Sequence, residues 1–226
     1  MTTTTTPTEE RIHLAALRLF SRKGYAATGI RELADEAGLS PSSLYNHIGS
    51  KEDLLLRIMR DGYARLWSTA QSGLDGIEEP VARLARLVQV HVYVHATYRQ
   101  ECRVIDAEFG ELVQGAREEI LGRRDDYESL WARALVAGSE NGSMLVPDQR
   151  VARLGLLTMC TGVAHWFRPE GPNDVFDVSL RHVDLVLSAT NATRGRRRAV
   201  ASGLPLLDRS WFDRALPDRP VFQATA

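Results

Sequence analysis

Residues 28 to 53, TGIRELADEAGLSPSSLYNHIGSKED, limit the fold more than any other stretch, because they encode two short helices across a tight turn and then a capped longer helix. Thr28 can cap a helix in which Ile30, Leu33, Ala34 and Ala37 recur at helical spacing and which Gly38 ends. Ser40 is a natural N-cap, and Pro41 suits the first helical position, where a missing amide hydrogen costs nothing. Leu44 and Ile48 then form the inward face of the second helix. Its outward face carries Ser42, Ser43, Tyr45, Asn46 and His47, short or flat hydrogen-bonding side chains able to meet base edges and phosphates in a major groove. This is the pattern of a DNA-reading helix-turn-helix.

The flanking sequence extends the pattern to a small three-helix head. Ile12, Ala15, Ala16, Leu19 and Phe20 share one face of a helix from about Glu9 to Lys23, which Gly24 ends, after a threonine-rich arm over residues 1 to 8. Ser50 and Asp53 form the S-x-x-D signature of a capping box, opening a helix that runs to about Ala70. Bulk charge lends no support to DNA binding. The net charge is −1, and residues 1 to 56 hold six basic against seven acidic side chains. Local groups such as Arg31, Lys51 and the helix N-termini must supply the positive potential.

Beyond a loop at residues 72 to 79, helical patterns cover about 80–98, 101–113, 115–141, 148–168 and 174–193, with no strand-like alternation between them. An all-α chain is expected, with a helix-turn-helix domain at 1–56, a helical ligand-binding and dimerisation domain at 57–194 and a flexible tail at 195–226. The tail assignment rests on the RGRRR run and several prolines. LGLLTMCTGVAHWF, residues 154 to 167, is apolar on nearly every helical face, and Phe176, Leu180, Val183 and Leu187 share a face of the last long helix. A pair of such helices suits self-association, with Leu157 and Val163 joining those four residues at a dimer interface. Cys102 and Cys160 form neither a disulfide framework nor a close metal pair. No stretch reaches the roughly 18 apolar residues of a membrane span, and the N-terminus lacks a secretory signal, so a cytoplasmic location is expected.

FSRKGYAATGIRELADEAGLSPSSLYNHIGSKEDLLLRIM resembles the TetR-type transcriptional regulators nearly position by position. The resemblance implies an all-helical ligand domain joined to the head by the fourth helix, and a homodimer built through the last two helices. It assigns phosphate contacts to Thr28, Tyr45, His47 and Lys51 and base contacts to the exposed face from Ser42 to Asn46. Ile48 stands where the family usually has an aromatic residue.

CTGVAHWFRPEGP resembles the corresponding segment of TetR-type repressors of lipid and sterol catabolism that answer to acyl-CoA thioesters. The implied partners are operator DNA and a small apolar effector such as an acyl-CoA, with no bound cofactor and no membrane. Tyr93, Phe109, Leu112, Trp131, Leu135, Met159 and Trp166 are the candidate lining of an apolar pocket. Arg103, Arg117, Arg123 and Arg124 are candidates to meet phosphates or a carboxylate.

Other readings stay open. An efflux regulator answering to hydrophobic drugs fits the same head. His91 and His95 lie i, i+4 on one helix and can present two imidazoles to a metal, with Asp106, Glu108 or Glu111 as a third ligand, although no accompanying Cys/His motif singles out a metal site. No nucleophile with a base, phosphate-cradling glycine loop or spaced carboxylate pair points to an enzyme. A helical scaffold that uses its head for protein contacts alone is the remaining rival.

Overall fold

The computed structural model describes residues 6–216, whose regular elements are helices apart from one short hairpin. Contacts divide it into two compact units. The first contains residues up to 64 and residues 100–123; the second contains residues 65–99 and those from 124 onward.

Helix α1 (Pro7–Lys23) begins at a capping box. The Thr6 hydroxyl accepts from the Glu9 amide, and the Glu9 carboxylate accepts from the Thr6 amide at 2.8 Å. Helix α2 (Ile30–Glu36) and helix α3 (Pro41–Ile48) follow as expected, separated by Gly38 at φ +66°, a left-handed turn that favours glycine. Ser40 caps α3 through the Ser43 amide, and Ser50 and Asp53 exchange two hydrogen bonds of 3.0 Å at the start of α4 (Lys51–Gly73). Ile12, Leu19, Phe20, Leu33, Leu44, Ile48, Leu55 and Ile58 pack into one core. Ile48 fills its place without an aromatic ring, 2 % exposed.

That core extends further along the chain than expected. Val104 and Ile105 of α6 (Arg99–Glu108), Leu112, and Ile120 of α7 (Gln114–Glu140) belong to it. Gln100 donates to the Leu17 carbonyl and the Ser21 hydroxyl, Glu101 meets His13 at 3.4 Å, and Arg60 holds Glu119 through two hydrogen bonds of 2.8 and 2.5 Å. Residues 100–123, expected within a ligand domain at 57–194, therefore pack with the head. The expected boundary at residue 56 is replaced by one between Ala64 and Arg65, inside α4.

In the second unit α5 (Pro80–Thr97) is buried on nearly every face. It packs most extensively on α10 (Val175–Ala189), and also on α8 (Gln149–Thr161) and α9 (Val163–Trp166). The chain after α10, expected to be a flexible tail, is ordered through residue 216. A two-residue hairpin, β1 (Thr193–Arg194) with β2 (Arg197–Arg198), leads through an extended segment to α11 (Arg209–Ala215). Buried Gln89 donates to the Leu207 carbonyl at 2.8 Å and accepts from its amide at 3.0 Å. Phe212 stacks on Tyr93 at 3.9 Å, and Arg209 grips Asp174, the N-cap of α10, with two bonds of 2.9 Å. The Arg/Pro-rich composition that suggested disorder hides three apolar anchors, Leu207, Phe212 and Leu216, that are at most 6 % exposed. The rest of the expected tail, from residue 217, lies outside the described residues.

Candidate functional site

Helix α3 is short, but it is fixed from both ends. Ser40 caps its start, and the guanidinium of Arg57 on α4 donates to the His47 carbonyl at its finish. Gly49, at φ +73°, ends it with its amide on the Tyr45 carbonyl. Leu44 and Ile48 anchor the buried side, which leaves Ser42, Tyr45, Asn46 and His47 exposed and Ser43 half-buried. Arg31 is exposed on α2. The outward face read from the sequence is therefore available to a nucleic acid.

Two assigned phosphate contacts have other employment. Thr28 is 2 % exposed, and its hydroxyl donates to the Gly24 carbonyl at 2.8 Å. It neither caps α2, whose N-cap is Gly29, nor offers its side chain to DNA. The Lys51 ammonium donates to the Tyr25 and Thr28 carbonyls, each at 2.9 Å, and sits 4.2 Å above the Tyr25 ring. Lys51 thus ties the turn before α2 to the start of α4. Its truncation removes two charged hydrogen bonds, of about 1.5–3 kcal/mol each, and leaves the Tyr25 carbonyl only the Thr28 amide at 3.0 Å. Lys51→Ala is expected to lower the urea midpoint of the protein and to weaken operator and scrambled DNA alike. An unchanged midpoint contradicts this bracing role.

The nine candidate pocket residues separate. Tyr93, Trp131, Leu135, Met159 and Trp166 lie in the second unit, while Arg103, Phe109, Leu112 and Arg123 lie in the first. Leu112 is part of the head core and Phe109 packs against it, so neither is a pocket wall of the second unit. Arg123 is paired with Glu119, Arg124 with Glu128 at 2.8 Å, and Arg117 caps the turn at 109–112 by donating to the Gly110 and Leu112 carbonyls. Tyr93 is covered by Phe212, and half-exposed Trp166 stacks on His182.

What gathers in the second unit is a buried cluster of polar rings. His91 Nδ1 is 3.0 Å from the Tyr127 hydroxyl and Nε2 is 3.0 Å from the Thr161 hydroxyl. His95 stacks on His91 at 3.9 Å and hydrogen-bonds the His91 carbonyl through Nδ1 at 2.8 Å. His182 on α10 bonds the Val178 carbonyl through Nδ1, also at 2.8 Å. Trp131 meets His91 edge-on and interacts with the Tyr127 hydroxyl. No group of three or more metal-ligating side chains occurs among the described residues, and both ring nitrogens of His91 are already engaged by hydroxyls. Cys102 and Cys160 are buried and unpaired by disulfide, and burial pushes the Cys160 thiol up to about 12.

Burial pulls His95 down to about 4, and His91 falls well below its ordinary value through burial and the neighbouring His95 and His182. The unfolded chain takes up these protons below about pH 6.5. The folded chain resists until about 4 for His95. Unfolding free energy is therefore expected to fall as pH drops through that window, by up to about 1.4 kcal/mol per pH unit for each histidine. Urea midpoints measured across the window check this, and His95→Phe should remove about one proton from the slope. A flat profile contradicts it. Glu119, held down to about 2 first by its bond to Arg60, belongs to a lower window and loses its contribution only as pH falls below about 4.5.

Four of the six expected dimer contacts are already covered within a single chain. Val163, Val183 and Leu187 are 0–1 % exposed and Leu157 is 8 % exposed within a single chain, whose helices α8, α9 and α10 all pack on α5. Phe176 is half-buried beside Phe212 and under Arg209, and Leu180 is half-buried. The apolar side chains left outward on these helices are Val151 and Leu154 on α8, Trp166 on α9 and Leu185 on α10.

A capped, outward-facing α3 in a three-helix head, followed by an all-helical second unit, is the plan of a one-component DNA-binding regulator. Residues 12–58 match the family described as bacterial regulatory proteins, tetR family, and residues 78–190 match the tetracyclin repressor-like C-terminal domain. The HTH-type transcriptional repressor KstR2 of Mycolicibacterium smegmatis is 26 % identical over 194 residues, covering 84 % of this chain and 94 % of that protein. Among solved structures, the TetR family transcriptional regulator PfmR of Thermus thermophilus is 30 % identical with a TM-score of 0.71, covering 79 % of this chain and 97 % of that one. AibR, solved with isovaleryl coenzyme A and operator DNA, is 26 % identical with the same TM-score and the same coverage. The chain belongs to the TetR family of bacterial regulatory proteins.

Proposed function

We propose that the protein is a homodimeric transcriptional repressor that binds a near-palindromic operator and leaves it when a small apolar effector occupies the second unit. The observation that carries the reading is the exposed row Ser42, Tyr45, Asn46 and His47 on a helix fixed at both ends. Base contacts fall to Ser43 and Asn46; phosphate contacts fall to Tyr45, His47 and Arg31. Thr28 and Lys51 hold this surface in place. Two copies of α3 would enter successive major grooves, roughly 34–36 Å or one helical turn apart, or more in a wide dimer.

The effector reading is supported by the AibR complex with isovaleryl coenzyme A and by the likeness to KstR2. An effector that binds one conformation of the dimer better than the other shifts the population away from DNA. Helices α4, α6 and α7 each contribute residues to both units and are the covalent route for that shift. Acyl-CoA thioesters are the first class to test, with isovaleryl-CoA as the starting probe.

Mobility shifts on the DNA flanking the protein's own gene test the reading. Tyr45→Phe should weaken binding to operator and scrambled DNA by the same factor, whereas Asn46→Ala should change which operator bases are tolerated. Identical base preferences in wild type and Asn46→Ala would place the reading surface elsewhere. Linkage adds a second check: if effector weakens operator binding by some factor, saturating operator must weaken effector binding by that same factor.

A further inference from the structure

Helix α4 is shared, with residues 51–64 in the first unit and residues 65–73 in the second. Its last four carbonyls have no donor further along the helix. One of them, on buried Gly73, accepts from Arg86 Nη1 of α5 at 2.9 Å. A guanidinium suits this end of a helix, where the dipole is negative. The same side chain also reaches the C-terminal segment, since Arg86 Nε donates to the Pro205 carbonyl at 2.6 Å. One planar, rigid fork therefore joins the end of α4 to a stretch of chain far along the sequence.

Packing repeats the link. A Cβ at Gly73 would stand 3.1 Å from Val90 Cγ2 of α5, 3.2 Å from Leu207 Cδ1 and 3.6 Å from Trp211 Cη2, so both α5 and the C-terminal segment approach the last residue of α4 closely. That segment is itself fixed on α5, by the two Gln89–Leu207 bonds and by the ring of Phe212 on Tyr93. It forms a strap against the end of α4. We propose that Arg86 is a positioning residue: with residues 204–216 it clamps the end of α4 to α5, and the clamp restricts the freedom with which α4 carries the DNA-reading head. The inference rests on the reading of the protein as a dimeric operator-binding repressor, and adds to it the part of the second unit that holds α4.

Preorganisation is the physical reason. Two heads that enter successive grooves together bind with an effective concentration set by how freely each one moves, whereas a head on a single half-site is indifferent to its twin. None of the clamp residues lies in the head, so losing the clamp should weaken the paired contact alone. Arg86→Met keeps the length of the side chain and removes both hydrogen bonds. In the full-length protein it is expected to weaken binding to the complete operator by about tenfold, a part of the 10²–10⁴ that a second tethered site contributes, and to leave binding to a duplex with one half-site unchanged. Trp211→Ala, which keeps the charge and opens the packing on Gly73, should act in the same direction. Hydrogen exchange of the protein without DNA reads the clamp directly: amides 70–74, at the end of α4, should exchange about tenfold faster in Arg86→Met, while amides 12–20 keep their wild-type rates.

Equal losses on the complete operator and the single half-site would assign Arg86 to stability alone and overturn the positioning role, as would unchanged binding to both. Wild-type exchange at residues 70–74 in both variants overturns the clamp itself. The failure of the underlying reading looks different. A wild type that binds no DNA, or that gains nothing from the second half-site, removes the dimeric repressor and with it the positioning role, and the exchange rates then decide the clamp by themselves.

Discussion

Phe212→Ala is expected to lower the unfolding free energy by about 3–5 kcal/mol, the range for deleting a fully buried phenylalanine. Phe212 is 0 % exposed, stacks flat on Tyr93 at 3.9 Å and meets Trp211 and Phe176 edge-on. Its loss opens a cavity against α5, a helix already packed on nearly every face and unable to close the gap by itself. Truncation after Gly203 should cost more, because it also strands the buried Gln89 amide that now meets both backbone groups of Leu207. Asp174→Ala, which breaks the exposed pair with Arg209 but also removes the N-cap of α10, is expected to cost about 1–2 kcal/mol. Urea denaturation of the three variants orders these effects. A Phe212→Ala midpoint within experimental error of wild type would show the C-terminal segment to be dispensable.

Leu185→Glu is expected to convert the protein to a monomer and to weaken operator binding by on the order of 10²–10⁴, the usual worth of a second tethered binding site. Leu185 is 54 % exposed in the single chain, so a charge there has little effect on the fold of one protomer. Val183→Glu is the contrasting case. That side chain is 0 % exposed, and an unpaired charge in its place should unfold the protein before any effect on assembly can be measured. Sedimentation velocity at micromolar concentration decides between them. A dimeric Leu185→Glu variant would move the interface away from the outward face of α10, and a monomeric wild type would remove the dimer altogether.

The contrast between residues 183 and 185 shows where reading the sequence stops. An amphipathic helix announces that it has a buried stripe, and the stripe through Phe176, Val183 and Leu187 was legible. Whether that stripe meets a helix of the same chain or of a second copy depends on α5, nearly ninety residues earlier. Local periodicity contains no such information. The same holds for Lys51, whose position in the motif suggested a phosphate contact until its ammonium was found between the carbonyls of Tyr25 and Thr28. Residues 100–123 likewise read as one more amphipathic helix, and only the packing of Val104, Ile105 and Ile120 assigns them to the head.

The sequence alone determined the helix-turn-helix of the head. Ser40 with Pro41, the Ser50–Asp53 box and the stop at Gly38 act through hydrogen bonds and dihedral limits within three or four residues, so composition and spacing suffice to place α2, the turn and α3. It also determined which side of α3 faces outward, since Leu44 and Ile48 can satisfy only one face. Tertiary structure alone decided the fate of the histidines, the arginines and the C-terminal segment. His91, His95 and His182 form one cluster because α5 packs on α10, and Leu207 and Phe212 are held because α5 offers them Gln89 and the ring of Tyr93. Burial is a property of the whole packed chain, and the free energy that orders a segment comes from partners distant in sequence.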